Sequence, residues 1–385
     1  MKKSIAAVAV LGAFTGSALA ADVQLYGLID TGARYLHSDL EHQGTTKKFS
    51  MESGMQSGSR FGFKGSEDLG NGLSVGFILE NQFNSDDGTL KDGLLFRRET
   101  SLFLEGNFGK IAFGRMGSIN GGTSSWGKHG VLSAFGTSWG GYAAQADTVF
   151  GNSGLWNNMI AYETPNMGGF KVFAQYGMGN QVFKDQAGNK VGVENESSSD
   201  RYYALGASYA NGPLNLFVSV DSINYASYDP VAKQTAHTDD SLTVRLGGNY
   251  DFEVAKVFVG AAYFDETKLS SFAGAVSDYV NSYAQGKAEQ LAVKGWSLGL
   301  SGAVPAAGGN LLLGAAYMDA ETADSHQGAD VDISRWIVSA GYTYSLSKRT
   351  NVYGVVTYNR DEIESSSSKF KPTVYGAMLG LRHAF

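Results

Sequence analysis

Beyond residue 20, apolar residues alternate with small or polar ones almost everywhere. Along 73–80, Leu73, Val75, Phe77 and Leu79 fall on one side, and Ser74, Gly76 and Glu80 on the other. Along 214–221, Leu214, Leu216, Val218 and Val220 oppose Asn215, Ser219 and Asp221; along 242–250, Leu242, Val244, Leu246 and Tyr250 oppose Thr243, Arg245 and Asn249. Trp296, Leu298 and Leu300 oppose Ser297, Gly299 and Ser301, and near the end Tyr375, Ala377, Leu379, Leu381 and Phe385 oppose Gly376, Gly380 and Arg382. A period of 2 rather than 3.6 predicts strands with two unlike faces.

The connections are of two kinds. Short turn-like ones lie at 68–72, 106–109, 165–169, 211–213, 251–255, 305–309 and 346–349, and long polar ones at 38–56, 84–93, 116–155, 178–200, 226–240, 267–293, 320–333 and 361–372. They alternate strictly, as in a barrel with tight turns at one end and long loops at the other. The segments between them predict sixteen strands: 23–37, 57–66, 73–83, 94–105, 109–115, 156–164, 170–177, 201–210, 214–225, 241–250, 256–266, 294–303, 310–319, 334–345, 350–360 and 373–385. Most have the roughly 9–11 residues that cross a bilayer at a tilt. An even count suits a closed antiparallel barrel, and sixteen strands leave room for an aqueous channel. The expected fold class is therefore all-β, a 16-stranded antiparallel transmembrane barrel.

The start of the chain is read separately. Lys2 and Lys3 precede a short apolar run, Ile5 to Phe14, and Ala18-Leu19-Ala20 has the form of an export cleavage site. Residues 1–20 are expected to be a cleaved signal peptide, leaving 21–385 as a single barrel domain. Removal of two lysines would take the net charge from -7 to about -9. That balance argues against a nucleic-acid partner. With no Cys, disulfide and thiolate chemistry are excluded. High Gly (51 residues) without a period of three rules out collagen.

Aromatics recur near strand ends, at Tyr162, Tyr176, Tyr209, Tyr250, Tyr317, Tyr344 and Tyr358, where interfacial girdles would place them. Catalytic signals are weak. The six histidines (His37, His42, His129, His237, His326 and His383) show no metal-ligand spacing, and no Ser sits in a nucleophile elbow. No cofactor is expected. The loop acids Glu194, Glu196, Asp200, Asp239 and Asp240 read as a solvated face, with divalent-ion binding between lipopolysaccharide phosphates as the alternative.

Several stretches carry a family resemblance. Gln24 to Asp30 (QLYGLID), Ser59 to Leu73 (SRFGFKGSEDLGNGL), Asn107-Phe108-Gly109-Lys110 followed by Phe113-Gly114-Arg115, Tyr344 to Thr350 (YSLSKRT) and the ending Gly380 to Phe385 (GLRHAF) resemble the general porins of the neisserial type. The resemblance runs from end to end but leaves the external loops unmatched. It implies a homotrimer in the outer membrane of a Gram-negative bacterium, among its lipid and lipopolysaccharide. It implies a third loop, 116–155, folded into the lumen, and biogenesis through periplasmic chaperones and the barrel assembly machinery, with Phe385 as the assembly signal.

A pore selects by the charges at its narrowest point. Strand parity places Gln24, Tyr26, Leu28, Asp30, Gly32 and Arg34 toward the lumen on the first strand, and Arg60, Gly62 and Lys64 on the second. On the fourth strand it places Arg97, Glu99 and Ser101 inside; a shift of one residue would exchange Arg97 with Arg98. The resemblance implies that such arginines form a basic wall facing the third loop, and this carries over to Arg34, Arg60 and the Arg97/Arg98 pair. Asp30, Glu80 and Glu99 would supply countercharge. The third loop has Asp147 as its sole carboxylate, with Lys128 and His129, and is rich in aromatics: Trp126, Phe135, Trp139 and Tyr142. The arginine often found at the start of the sixth strand in this family is replaced by Leu155-Trp156-Asn157-Asn158. The expectation is a general diffusion pore for ions and small hydrophilic solutes, weakly selective and leaning to anions. A substrate-specific channel for sugars or organic anions is the alternative, since lumen aromatics could stack on a sugar; an outer-membrane enzyme is the weakest reading.

Overall fold

The computed structural model describes residues 23–41, 44–181, 183–184, 187–235, 239–273, 291–325, 330–366 and 368–385. The expected signal peptide, Ala21, His42, His237 and His326 lie outside the described residues.

Sixteen wall strands close into one antiparallel barrel: β1 Gln24–Asp39, β2 Arg60–Gly70, β3 Leu73–Glu80, β4 Glu99–Gly106, β5 Gly109–Gly117, β6 Leu155–Glu163, β7 Phe170–Gln181, β8 Ser199–Asn211, β9 Leu214–Asn224, β10 Leu242–Asp251, β11 Lys256–Lys268, β12 Ala292–Ala306, β13 Gly309–Thr322, β14 Val331–Ser345, β15 Thr350–Ser365 and β16 Thr373–Ala384. Closure comes from β1 pairing with β16, in the register Gly32↔Gly380 and Arg34↔Met378. The chain ends are tied beside it: the Phe385 amide donates to the Gly27 carbonyl (3.0 Å), and the Gly27 amide returns a bond to Phe385 (3.1 Å).

The alternation in the sequence is the alternation of inside and outside. Leu25, Leu102, Leu216, Leu298, Val338 and Leu379 are exposed on the outer face, whereas Asp30, Glu99, Ser219, Arg245 and Ser297 are buried within. An outer apolar band is what lipid requires, since a midplane Arg or Lys on that face costs about 2–4 kcal/mol. Aromatics gather at both ends of the band, with Tyr317 between Trp296 and Trp336 at the loop end (ring centroids 5.5 and 4.5 Å), and Tyr250 against Phe252 at the turn end (4.6 Å). The β2–β3 turn shows why short connections suffice. Asn71 (φ 55) and Gly72 (φ 74) both take the left-handed backbone of a tight hairpin, which Asn and Gly adopt at least cost.

Three expected boundaries move. The 38–56 connection contains a further strand, Thr45–Ser53, which continues the second wall strand outward against β1 (Thr31↔Ser53 to Asp39↔Thr45). Several strands are longer than the roughly 9–11 residues that cross a bilayer, notably β12, β13 and β15, so Pro305 pairs with Asn310 inside a ladder rather than in a turn. Residues 94–98 precede β4, which starts at Glu99.

Candidate functional site

The long connection between β5 and β6 folds into the barrel. Its side chains are apolar where they meet the wall: Trp126, Leu132, Phe135, Trp139, Val149 and Phe150 are all buried. Each fully buried Leu or Phe contributes about 1.5–3 kcal/mol. The wall makes room with glycine. A Cβ on Gly260 or Gly299 would press into the Phe150 ring (2.6 and 2.9 Å), and one on Gly314 into Phe135 (2.9 Å).

Polar bonds then pin the loop around the lumen. Gln175 of β7 accepts from the Ile119 amide (2.8 Å) and donates to Gly117 (3.1 Å). Asp221 of β9 accepts from Asn120 (2.5 Å) and Ser153 (2.6 Å). Ser301 of β12 and Ser339 of β14 accept from the amides of Ala134 and Ala144 (both 2.9 Å), and Thr357 of β15 donates to Tyr142 (2.7 Å). Two arginines hold the end of the short helix Ala146–Val149. Arg245, paired with Asp221, donates to the Phe150 carbonyl (2.7 Å). Arg335, paired with Asp361 (2.9 Å), donates to the carbonyls of Thr148 (2.8 Å) and Ala273 (2.7 Å). Both arginines are 1% exposed. Carbonyls at a helix C-terminus lack intrahelical donors, so a cation there is doubly favoured.

With the loop held against β7 and β9–β15, the free space lies against β1–β4. A cavity of about 530 Å³ is lined by Tyr26, Arg60, Glu80, Gln82, Arg97, Arg98, Glu99, the turn 54–58 and loop residues 122–125 and 135–138. A second, of about 500 Å³, continues to the turn end past Asp251, Glu253 and Lys256, and shares Gln56, Phe135 and Gly136 with the first.

The anticipated pore residues fall into three groups. Arg60, Arg97, Arg98 and Glu80 come together in the upper cavity. Glu80 sits between Arg98 (2.6 Å) and Arg60 (3.5 Å) and accepts from Tyr26 (3.1 Å). Arg97 reaches Gln82 (3.0 Å) and Asp92, and Arg98 also reaches Gln82 (3.4 Å). Both arginines border the cavity because they precede the start of β4, where strand parity does not apply. Burial works to raise the Asp92 carboxyl in the outer loop, but the hydrogen bond and charge of Arg97, with Lys91 and Arg115, hold it below the ordinary range.

A second group is bound into the scaffold. Glu99 accepts from the Ser125 amide (2.8 Å), Ser125 Oγ (2.9 Å) and Ser101 (2.7 Å), which fastens the near end of the loop to β4. Asp147 bonds His129 (3.1 Å) and Asn152 (2.8 Å) within the loop. Asp30 is 0% exposed and bonded to the turn 54–59.

The third group lies apart. Arg34 pairs with Glu52 (2.6 Å) on the added strand and lies over the Tyr142 ring (5.7 Å). Lys128 lies over Phe173 (5.2 Å). Among the other named residues, His37 stacks on Tyr375 (4.4 Å) at the outer rim and His383 bonds Thr350 (2.8 Å). Asp200 and Asp240 accept from the Ala226 amide (2.7 Å) and Asn224 (2.5 Å).

Sequence reasoning did not single out Glu52, Gln82, Gln175, Asp221, Arg245, Arg335 or Asp361. Register held one usable signal: Arg335 and Asp361 are direct cross-strand partners, both on the inward side.

Comparison with known proteins agrees with this architecture. Residues 7–364 match the family model of the Gram-negative porins. An outer membrane porin of Bordetella pertussis is 33% identical over 413 residues, covering 100% of both chains. A major outer membrane protein of Neisseria meningitidis is 43% identical over 122 residues, 31% of this chain and 35% of its own. The solved structure of an anion-selective porin from Comamonas acidovorans superposes with a TM-score of 0.67 at 25% identity, covering 95% of this chain and 100% of that one. The neisserial likeness seen in the wall motifs is thus strongest over about a third of the chain, while the Bordetella likeness runs its full length. The closed barrel, its inward loop and these matches agree: the chain belongs to the Gram-negative porin family of the outer membrane.

Proposed function

We propose that this porin is a general diffusion channel for ions and small hydrophilic solutes, with a weak preference for anions. The observation that carries the reading is the distribution of charge around the upper cavity. Its lining has three arginines (Arg60, Arg97 and Arg98) and three carboxylates (Glu80, Glu99 and Asp147), so formal charge cancels. What faces water does not cancel. The side chains of Arg60 and Arg97 are 25% and 21% exposed; Glu80 is 10% exposed between two guanidinium groups. Glu99 is 1% exposed, and Asp147, 13% exposed, has one oxygen on His129 and the other on Asn152. A narrow aqueous passage that presents guanidinium edges enriches anions, and the effect weakens as salt rises because the Debye length is about 10 Å at 0.1 M. That the Comamonas structure is of an anion-selective porin supports the sign. Of the external-loop acids, Asp92 reaches this wall directly, paired with Arg97, which keeps the preference weak.

The substrate-specific alternative required lumen aromatics. Of the three aromatics it invoked, Trp126 (2% exposed) and Trp139 (4%) are packed between loop and wall and offer no stacking face to a passing sugar, and Tyr142, half-buried, lies against the Arg34 guanidinium at 5.7 Å. Liposome swelling with uncharged sugars of graded size tests the general reading: rates should fall smoothly with solute size. One sugar far above that curve would reverse the assignment.

The proposed assembly is a homotrimer in outer-membrane lipid and lipopolysaccharide. It is supported by family membership. Cross-linking in intact outer membranes, stopping at three copies, would support it; monomer alone would not.

A further inference from the structure

The two cavities meet beside the turn 54–59, where the second wall strand leaves the sheet. Between the pairs Leu28↔Arg60 and Thr31↔Ser53, β1 advances by only two intervening residues, Ile29 and Asp30, while six residues of its partner loop inward. Gly54 permits the departure: its φ is +69, and a Cβ there would lie 2.8 Å from Gly58 Cα. We propose that Asp30 is a positioning residue that sets the width of the passage, holding this turn and, through it, the tip of the constriction loop. The inference rests on the reading that solutes pass between the turn and loop residues 135–138.

The contacts form a short continuous chain. Asp30 Oδ2 accepts from the amides of Gln56 (2.8 Å) and Ser57 (2.6 Å), and Oδ1 accepts from Tyr353 Oη. Its carbonyl accepts from the Gly54 amide (2.8 Å) and from Ser59 Oγ (3.0 Å), which closes the turn at both ends. Held this way, the turn presents the Met55 carbonyl to the lumen, where it accepts from the amides of Trp139 and Gly140 (3.0 Å to Gly140). Trp139 has φ +74, a backbone state that a bulky residue keeps only where its surroundings impose it. Its ring meets Tyr353 at 5.3 Å and Phe135 at 5.8 Å, both edge-on. Tyr353 therefore touches both ends of the chain: its hydroxyl binds Asp30 and its ring supports the loop tip. The next loop residues back from Trp139, 135–138, border the upper cavity. Asp30 has no exposed surface, so it acts through these bonds and not as a charge facing the passage.

Three variants of the full barrel, refolded and recorded in planar bilayers, separate the roles. Asp30→Ala removes the acceptor for both turn amides. It should raise the rate of switching between conductance levels about tenfold, equivalent to about 1.4 kcal/mol of lost holding energy. It should also speed swelling with the largest permeant sugar. Asp30→Asn keeps an oxygen for the two amides and should stay close to wild type in both. Tyr353→Phe keeps the ring against Trp139 and should give an intermediate effect; it carries the test if Asp30→Ala does not fold. Equal shifts of reversal potential in Asp30→Ala and Asp30→Asn, with quiet traces in both, would overturn the proposal in favour of a lumen charge. Wild-type traces and cutoff in Asp30→Ala and Tyr353→Phe would overturn it outright. Arg60→Glu recorded in parallel reports whether ions use this passage at all, so failure of the pore assignment is distinguishable from failure of the Asp30 role.

Discussion

Arg335 offers a sharp test of how the constriction loop is held. It pairs with Asp361 at 2.9 Å, both are 1% exposed, and its other nitrogen reaches the Thr148 and Ala273 carbonyls at 2.8 and 2.7 Å. Replacing Arg335 with Met leaves Asp361 as an uncompensated buried charge, at a cost of about 3–5 kcal/mol. Two carbonyls lose their donor as well, at about 1–3 kcal/mol each if they stay dry. The lumen offers an escape: the loop end can lift into water, which relieves both penalties. The variant should therefore exchange a held loop for a mobile one, because 3 kcal/mol corresponds to more than a hundredfold in population. Single-channel records should show transitions far more often than in wild type, and the temperature at which the folded band is lost on gels should fall. Adding Asp361→Leu removes the stranded charge and should recover most of the thermal loss. The noise should persist, because the helix end still lacks its donor. A quiet channel with wild-type thermal behaviour in Arg335→Met would show that Arg335 does not hold the loop.

Other outcomes follow from the same contacts. Glu99→Gln keeps one acceptor for Ser125 but loses charge; it should leave folding intact and move the reversal potential little, because Glu99 is 1% exposed, whereas Glu99→Leu should loosen the loop at its near end and add noise. Deleting Phe385 removes the reciprocal backbone bonds with Gly27 and should lower the amount of heat-modifiable barrel in the outer membrane while secretion continues; wild-type amounts would contradict a role in assembly. Gly27→Val should hinder closure in a similar way, since even a Cβ there would lie 2.5 Å from the Phe385 ring, as refolding yield would report.

The wall was legible because lipid outside and water inside impose an alternation that sequence displays directly. Arg60 was legible for the same reason: inward parity on a regular strand puts a charge in the lumen. Arg97 and Arg98 escaped that logic because they stand just before β4, where no pleat fixes direction. The strand Thr45–Ser53 was hidden because its outer half, with Thr45, Thr46, Lys47 and Lys48, is exposed and carries no apolar stripe. Missing it meant missing Glu52 as the partner of Arg34. The pins on the loop were harder still. Arg245 binds Asp221 across 24 residues and Phe150 across 95, and nothing local in the sequence signals a bond to a main-chain carbonyl. The inward glycines Gly260, Gly299 and Gly314 were in view as strand residues. Their meaning, space for Phe150 and Phe135, appears only once the loop is in place. Asp30 shows the limit of parity: it points inward as expected, yet the turn 54–59 folds over it and takes it out of the passage.

The proposed route for ions runs between the constriction loop and a wall on which guanidinium groups are more exposed than the carboxylates beside them. Reversal potential across a planar bilayer with a salt gradient, for wild type and Arg60→Glu, tests it most directly. Wild type should favour anions modestly, more at 0.1 M than at 1 M salt as screening lengthens or shortens its reach. Arg60→Glu should shift the potential toward cations, most at low salt. Clear cation selectivity in wild type that Arg60→Glu leaves unchanged would place the constriction elsewhere.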